Sequence, residues 1–462
     1  MWTVEALQKD LAAGRTTSRD LVEQALARIA DPAGEGARAF VKLYADGARA
    51  GADYSDRLRK AGVLRSPVEG LPISVKDLFD VAGDTTRAGS KVLADAPPAS
   101  ADAPAIARLR AAGAVMVGRS NMVEFAFGAV GTNPHYGTPK NPWDRPKGGS
   151  GDAARLGGRV PGGSSSGAAV SVADGMAVMG LGSDTRGSIR QPAALCGVAG
   201  FKPTMRRVSR QGAFPLSYTL DSIGPLANSV ACCAAYDAIL ADEADAPLAP
   251  LPAKGLRLLL PRSSALADLD AEVEQSFFAA IEKLSRAGAA VTEVAVPAFD
   301  RQAEYFRNGG FAAAEAYAIH RKWSGRLADY DPRVAKRVLL GKDIGGWEYV
   351  ELGLLREAYM REVGELMAAY DAFLIPTSPC LAPSIAEASA SDEAYFRWNA
   401  RILRNTGLVN FLDGCAATLP CQAPGAGPVG LMVCGVTLSD RHVLAVARAI
   451  EGVLGRVSPA HA

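Results

Sequence analysis

Apolar residues recur at helical spacing near the N-terminus. Val4, Leu7 and Leu11 share one face, and Leu21, Val22, Ala25, Leu26 and Ile29 share another, which predicts two helices. Thr17, with Asp20 three residues on, supplies a cap for the second. Between Gly70 and Lys76 the pattern changes to alternation, the period of a strand, with Ile73 and Val75 on one face and Ser74 and Lys76 on the other. Residues 103–118 read as a helix followed by a strand at 114–117. Further strands are predicted at 177–181, 256–260, 291–296, 372–375 and 431–436. Helical faces return with Val273, Phe277, Ile281 and Leu284, through most of 302–370, and with Val443, Val446, Ala447, Ile450 and Leu454. Strands interleaved with helices predict an α/β protein with a layered sheet.

Composition narrows the function classes. The chain has 462 residues, 48% of them hydrophobic and 21% charged, enough for a large buried core. Fifty basic residues against 49 acidic ones leave a net charge of +1, so there is no electrostatic case for nucleic acid or an anionic membrane. Seven scattered cysteines, without a CxxC pair, indicate neither a zinc site nor a disulfide framework. The N-terminus lacks a basic region followed by an apolar core, and no run of eighteen apolar residues suggests a membrane span; a cytoplasmic location is expected. Residues 242–255, acidic and then proline-rich, read as a connector.

The most informative stretch is 161–203, PGGSSSGAAVSVADGMAVMGLGSDTRGSIRQPAALCGVAGFKP. Two glycine–serine clusters, 162–167 and 185–188, flank an apolar run that a flexible linker would not carry. Small residues let a ligand approach the main chain, where several N–H groups can converge, and a short helix is predicted to begin near Ser188. Gly163-Ser164-Ser165-Ser166-Gly167 also fits G-x-S-x-G, which would make Ser165 the nucleophile of an α/β-hydrolase with a later histidine as base. That elbow needs a strand just before it, and Gly157-Gly158-Arg159-Val160-Pro161 is a poor one; His320, His442 and His461 lack a helpful context. There is no HExxH for a metal and no GxxxxGK[ST] for nucleotide phosphates.

This stretch resembles the amidase signature hydrolases. The resemblance extends upstream through Gly70-Leu71-Pro72-Ile73-Ser74-Val75-Lys76-Asp77 and Asn141-Pro142-Trp143-Asp144. Downstream it runs through Leu220-Asp221-Ser222-Ile223-Gly224-Pro225-Leu226 and, more weakly, Gly427-Pro428-Val429-Gly430-Leu431. It implies a single large α/β domain, its mixed central β-sheet covered by helices on both faces. The implied organisation is an N-terminal helical segment, 1–62, packed on an amidase signature domain, 63–456, whose core spans about 70–230. It also implies hydrolysis of an amide or ureide C–N bond in a small molecule, without a cofactor or metal. By position in the family motif, Ser188 is the acylated nucleophile, Ser164 the bridging serine and Lys76 the base. The backbone N–H groups of Thr185, Arg186, Gly187 and Ser188 are the expected oxyanion donors. A lysine base must be substantially neutral near pH 7, a fall of two to three pKa units, or roughly 3 to 4 kcal/mol of desolvation or positive field. His135, Gly163 and Arg186 are the candidates for contact with substrate, His135 more naturally as a hydrogen-bonded structural residue. Asp184 and Arg190 are placed to pair and hold the nucleophile loop, and Asp221 to anchor a turn.

Two features depart from the family pattern. Residues 145–160 lengthen the link between the NPWD and PGGSS motifs, as a polar surface loop would. Arg186 stands where glycine is commonest; its N–H still serves if its φ is negative. Its side chain either pairs with Asp184 or Asp221, or faces the pocket and favours a carboxylated substrate. The family also includes the glutaminase component of glutamyl-tRNA amidotransferase, which typically reads DEFAMGSSTENSAFGP where this chain has Val123-Glu124-Phe125-Ala126-Phe127-Gly128-Ala129-Val130-Gly131-Thr132-Asn133-Pro134-His135-Tyr136-Gly137, a form closer to free-standing hydrolases. An inactive binding scaffold is disfavoured by the joint presence of Lys76, Ser164 and Ser188. A homodimer is left open.

Overall fold

The computed structural model describes residues 2–145, 156–243 and 248–456. Among the described residues eleven strands form one mixed sheet: β1 (Phe40–Leu43), β2 (Pro72–Lys76), β3 (Val115–Ser120), β4 (Met179–Asp184), β5 (Ala199–Lys202), β6 (Ser222–Ala227), β7 (Arg257–Arg262), β8 (Ala290–Ala295), β9 (Ala372–Pro376), β10 (Cys415–Pro420) and β11 (Gly430–Gly435). Their order is β1-β3-β2-β4-β6-β5-β10-β11-β9-β7-β8. β2 runs parallel to β3 and β4, and β7 runs parallel to β8 and β9. The remaining pairs are antiparallel.

Alternate residues of β3 show how the two faces are covered. Val115 and Val117 join a core with Val22, Ala25 and Ile29 of the helix Ser18–Ala30, and with Ala168 to Val172 of the helix Ser166–Ala173. Met116 points the other way, into a core shared with the helices Val230–Leu240 and Asp440–Leu454. Strands buried on both sides lose the polar-out half of their pattern. The alternation in β2 therefore has a different meaning from a half-solvated strand, because Ser74 and Lys76 are as buried as Ile73 and Val75. Ser74 meets Ser171 of the covering helix through a 2.8 Å hydroxyl contact.

Two boundaries differ from expectation. β4 starts two residues later than 177 and runs on through Gly182 to Asp184. Gly182 continues the strand because Leu226 and Ser165 press against it; a Cβ there would lie 2.9 Å from both. The path from Ser164 to Ser188 contains the helix Ser166–Ala173 as well as β4, rather than a strand and turn. The N-terminal segment, expected to be helical, also contributes β1 at the sheet edge. Residues 146–155 of the lengthened link and 244–247 of the connector lie outside the described residues. Among the described residues no helix is long and apolar enough to cross a membrane.

Candidate active site

β2 and β4 are parallel neighbours, with Ile73, Ser74 and Val75 opposite Met179, Gly180 and Leu181. Their carboxyl ends emerge side by side, the usual place for a ligand crevice in an α/β sheet. Lys76 ends β2, and Ser183 and Asp184 end β4. Lys76 Nζ donates to Ser164 Oγ at 2.7 Å and to Ser183 Oγ at 2.9 Å. The Gly163–Ser164 peptide bond is cis. The N–H of Ser165 donates to the carbonyl of Ser188 at 3.2 Å, joining the two glycine–serine clusters. Lys76 is 0% exposed and Ser188 5% exposed. Burial pulls the Lys76 ammonium down to about 7, against the fields of Asp184 and Asp221, which act to raise it.

The loop between β4 and the helix Arg190–Cys196 is built around Asp184. Its carboxylate accepts from the N–H groups of Gly187 at 2.7 Å and Ile189 at 3.1 Å. Arg190 donates to it from Nε at 3.0 Å and Nη2 at 2.9 Å, and Asn410 Nδ2 adds a bond at 2.9 Å. Although burial acts the other way, Arg190 holds this carboxyl well below the usual range. The Gly187 N–H, one of the four expected oxyanion donors, is thus engaged by Asp184. The positive φ of the loop, +130°, falls on Gly187 and not on Arg186. Any Cβ at Gly187 would come 2.3 Å from Thr406 Oγ1, which itself donates to the Arg186 carbonyl at 2.6 Å. Asp221 anchors the far side, accepting from Thr185 Oγ1 at 2.5 Å and from the N–H groups of Leu216 and Ser217.

A small cavity meets this loop. Thr185, Arg186 and Ser188 line it with Phe127, Ala312 and Arg337. Its lining is positive. Arg186 stacks over the Phe306 ring at 3.7 Å, and its Nε is buried without a hydrogen-bond partner. Burial, and after it the neighbouring Arg337, pull the Arg186 guanidinium down to about 9. Arg337, on the helix Pro332–Leu340, donates from Nη1 to the Phe127 carbonyl at 2.9 Å and to Asn399 Oδ1 at 3.3 Å.

The other candidates sit apart. His135 Nε2 meets Glu124 Oε1 at 2.9 Å, and His135 does not line the Ser188 cavity. Gly163 packs where a Cβ would approach Val123 at 2.8 Å and Gly131 at 3.0 Å. Ser165 precedes the helix Ser166–Ala173, and residues 157–163 form no strand, only a bridge at Arg159. The elbow that a Ser165 nucleophile requires is therefore missing. A larger cleft of about 700 Å³, between Arg38, Asn133, Asp331 and Asp392, touches none of Lys76, Ser164 and Ser188. Among the described residues no group of three or more metal-ligating side chains occurs. Two site residues escaped the sequence reading. Ser183 is a serine inside a strand, without a pattern to mark it. Arg337 is one of several basic residues on its helix, and only its neighbours Val334 and Val338 hint that it turns inward.

The fold is that of the amidase signature enzymes. A sequence model of the Amidase family matches residues 20–444, and the chain belongs to that family. It is 36% identical over 422 residues to a 2-amino-5-chloromuconic acid deaminase of Comamonas testosteroni, covering 89% of this chain and 88% of that one. It is 38% identical over 398 residues to AtzE, a component of the 1-carboxybiuret hydrolase of Pseudomonas sp. (strain ADP), covering 83% of each. The corresponding chain of a glutamyl-tRNA(Gln) amidotransferase from Chloroflexus aggregans is 34% identical, covering 98% of this chain and 96% of that one. A crystal structure of an amidase superposes with a TM-score of 0.85 at 34% identity, covering 98% of this chain and all of that one.

Proposed function

We propose that the protein hydrolyses a linear amide or ureide C–N bond of a small molecule through an acyl-enzyme on Ser188. Residues 63–456 supply the catalytic residues, with 1–62 packed on them and adding β1 to the sheet edge. The observation that carries this reading is a fully buried Lys76 with its Nζ 2.7 Å from Ser164 Oγ, its ammonium pulled down to about 7 by burial. Neutral Lys76 takes the Ser164 proton while Ser164 takes that of Ser188, and the freed Oγ attacks the carbonyl. N–H groups of Thr185, Arg186 and Ser188 face the developing oxyanion; Gly187 joins them only by leaving Asp184. The proton returns through Ser164 to the departing nitrogen, releasing ammonia or an amine. Water then cleaves the ester by the same relay.

Arg186 lines the cavity and pairs with neither Asp184 nor Asp221, which supports a carboxylate on the substrate. The names of two relatives, a chloromuconic acid deaminase and a carboxybiuret hydrolase, agree with that. The amidotransferase chain aligns over as much of the sequence, so glutaminase chemistry within a complex is the second reading. Glutamine carries an ammonium group, and among the described residues no Asp or Glu lines the Ser188 cavity to receive it.

The test is covalent capture by a serine-directed inhibitor together with ammonia release from a panel of amides and ureas. Ser188→Ala is expected to lose both, and Ser165→Ala to keep much of both. Capture lost in Ser165→Ala but kept in Ser188→Ala would overturn the assignment.

A further inference from the structure

Two guanidinium groups reach the Ser188 cavity from elements far apart in the chain. Arg186 comes from the loop after β4, and Arg337 from the helix Pro332–Leu340. Both keep part of their surface accessible. Among the described residues, neither forms an ion pair. The acids close by are committed elsewhere: Asp184 to Arg190, Asp221 to Thr185 and two backbone amides, and Glu315 to Ser217, Thr219 and Tyr349. Three arginines elsewhere are paired with acids, although among the described residues Arg356, part-buried like these two, is not. Arg119 faces Asp77 and Asp84, Arg190 faces Asp184, and Arg207 faces Asp237.

An uncompensated buried cation is costly, and two that repel each other are more so. The partners they do have, an aromatic face, a backbone carbonyl and an amide oxygen, ease the desolvation but leave the net charge uncancelled. A planar guanidinium matches the two oxygens of a carboxylate, which makes arginine suited to that anion. The Nε of Arg186, buried and unpartnered, leaves one such donor unused.

We infer that the cavity is built for a compact amide or ureide carrying two carboxylates, one received by Arg186 and the other by Arg337. The position of the scissile bond rests on Ser188 as nucleophile; the charge preference does not. Both arginines open onto one small cavity, which confines the substrate to a short carbon skeleton.

The test is binding to the full-length Ser188→Ala protein, which removes turnover from the measurement. Malonate and succinate are titrated against acetate and propionate by calorimetry. The dicarboxylates are expected to bind about 10- to 100-fold tighter, the worth of one added charge-assisted contact. Arg186→Gln and Arg337→Gln are each expected to erase that advantage, with Arg337→Lys restoring part of it. Equal affinity for the two classes, or no binding of either, overturns the inference without recourse to a variant. An unchanged dicarboxylate advantage in folded Arg337→Gln also overturns it. Inhibitor capture retained by Ser188→Ala would sink the nucleophile assignment while leaving the dianion preference standing, so the two failures are distinct.

Discussion

Asp184 and Arg190 form a bidentate ion pair that is completely buried behind the serine loop, with both N···O distances at 2.9–3.0 Å. The same carboxylate takes the N–H groups of Gly187 and Ile189, on either side of Ser188. One residue at the end of β4 therefore sets the path of the loop and the start of the next helix.

Removing one member leaves the other as an uncompensated interior charge. Arg190→Leu is expected to destabilise the fold by about 3 to 5 kcal/mol. Arg190→Lys keeps the charge but loses the fork, so its cost is expected to be smaller. Urea unfolding of both variants checks the order. Unaltered stability in Arg190→Leu would mean that the loop is held by other contacts.

With Lys76 as the proposed base, the activity is expected to depend on pH with a definite sign. The Lys76 pKa in the fold is about 7 against 10.5 when unperturbed. The rate is expected to rise with pH through 7 as the amine becomes neutral, and Lys76→Ala is expected to abolish that limb. Stability follows the same linkage. Between 7 and 10.5 the unfolded chain holds a proton on Lys76 that the folded chain lacks, so this term stabilises the fold as pH rises. Lys76→Met deletes it, and the stability of the variant relative to wild type is expected to fall by about 3 kcal/mol between pH 6 and pH 9. Denaturant unfolding at the two values measures the difference. A pH-independent difference would mean that Lys76 titrates as in water.

The sheet and the loops of the site were legible to different degrees. The alternation at 70–76 located β2, and the paired glycine–serine clusters located the loops that carry Ser164 and Ser188. β5, β6 and β10 carried no comparable signal, since they are short or rich in small residues, with Gly224 and Pro225 inside β6. Gly224 is there for packing: a Cβ would fall 2.3 Å from the Phe201 carbonyl on the neighbouring β5. The helix Ser166–Ala173 was hidden for a similar reason, because its alanines and glycine are chosen to approach Gly180 rather than to mark a face; a Cβ on Gly180 would lie 2.8 Å from that of Ala168. Arg337 could not be singled out from Arg333 and Lys336, since only tertiary packing decides which of the three turns to the cavity. Arg333 and Lys336 instead meet Asp392.

The segment from Leu216 to Asp221 connects the serine loop to the wall of the cavity. Asp221 grips Thr185 and the N–H groups of Leu216 and Ser217. Glu315, on the helix Gly310–His320 that supplies Ala312 to the cavity, takes Ser217 Oγ and the Thr219 N–H. Asp221 also acts through its field, because its negative charge raises the Lys76 pKa. Burial raises the Asp221 carboxyl, and the Thr185 hydroxyl pulls it back toward ionisation. Asp221→Asn removes the charge, so the rising limb of kcat/KM is expected to move to lower pH. Thr185→Val removes one hydrogen bond and leaves the carboxylate, so the limb is expected to stay closer to its original position in alkaline buffer. Both variants loosen Thr185, and kcat is expected to fall about 10- to 100-fold in each, the worth of a charge-assisted hydrogen bond. Rate profiles from about pH 5 to 9 for the three proteins separate the two effects. A limb that stays in place in Asp221→Asn, with kcat still reduced, would confine Asp221 to holding the loop; a limb moving to higher pH would contradict the sign of its field at Lys76.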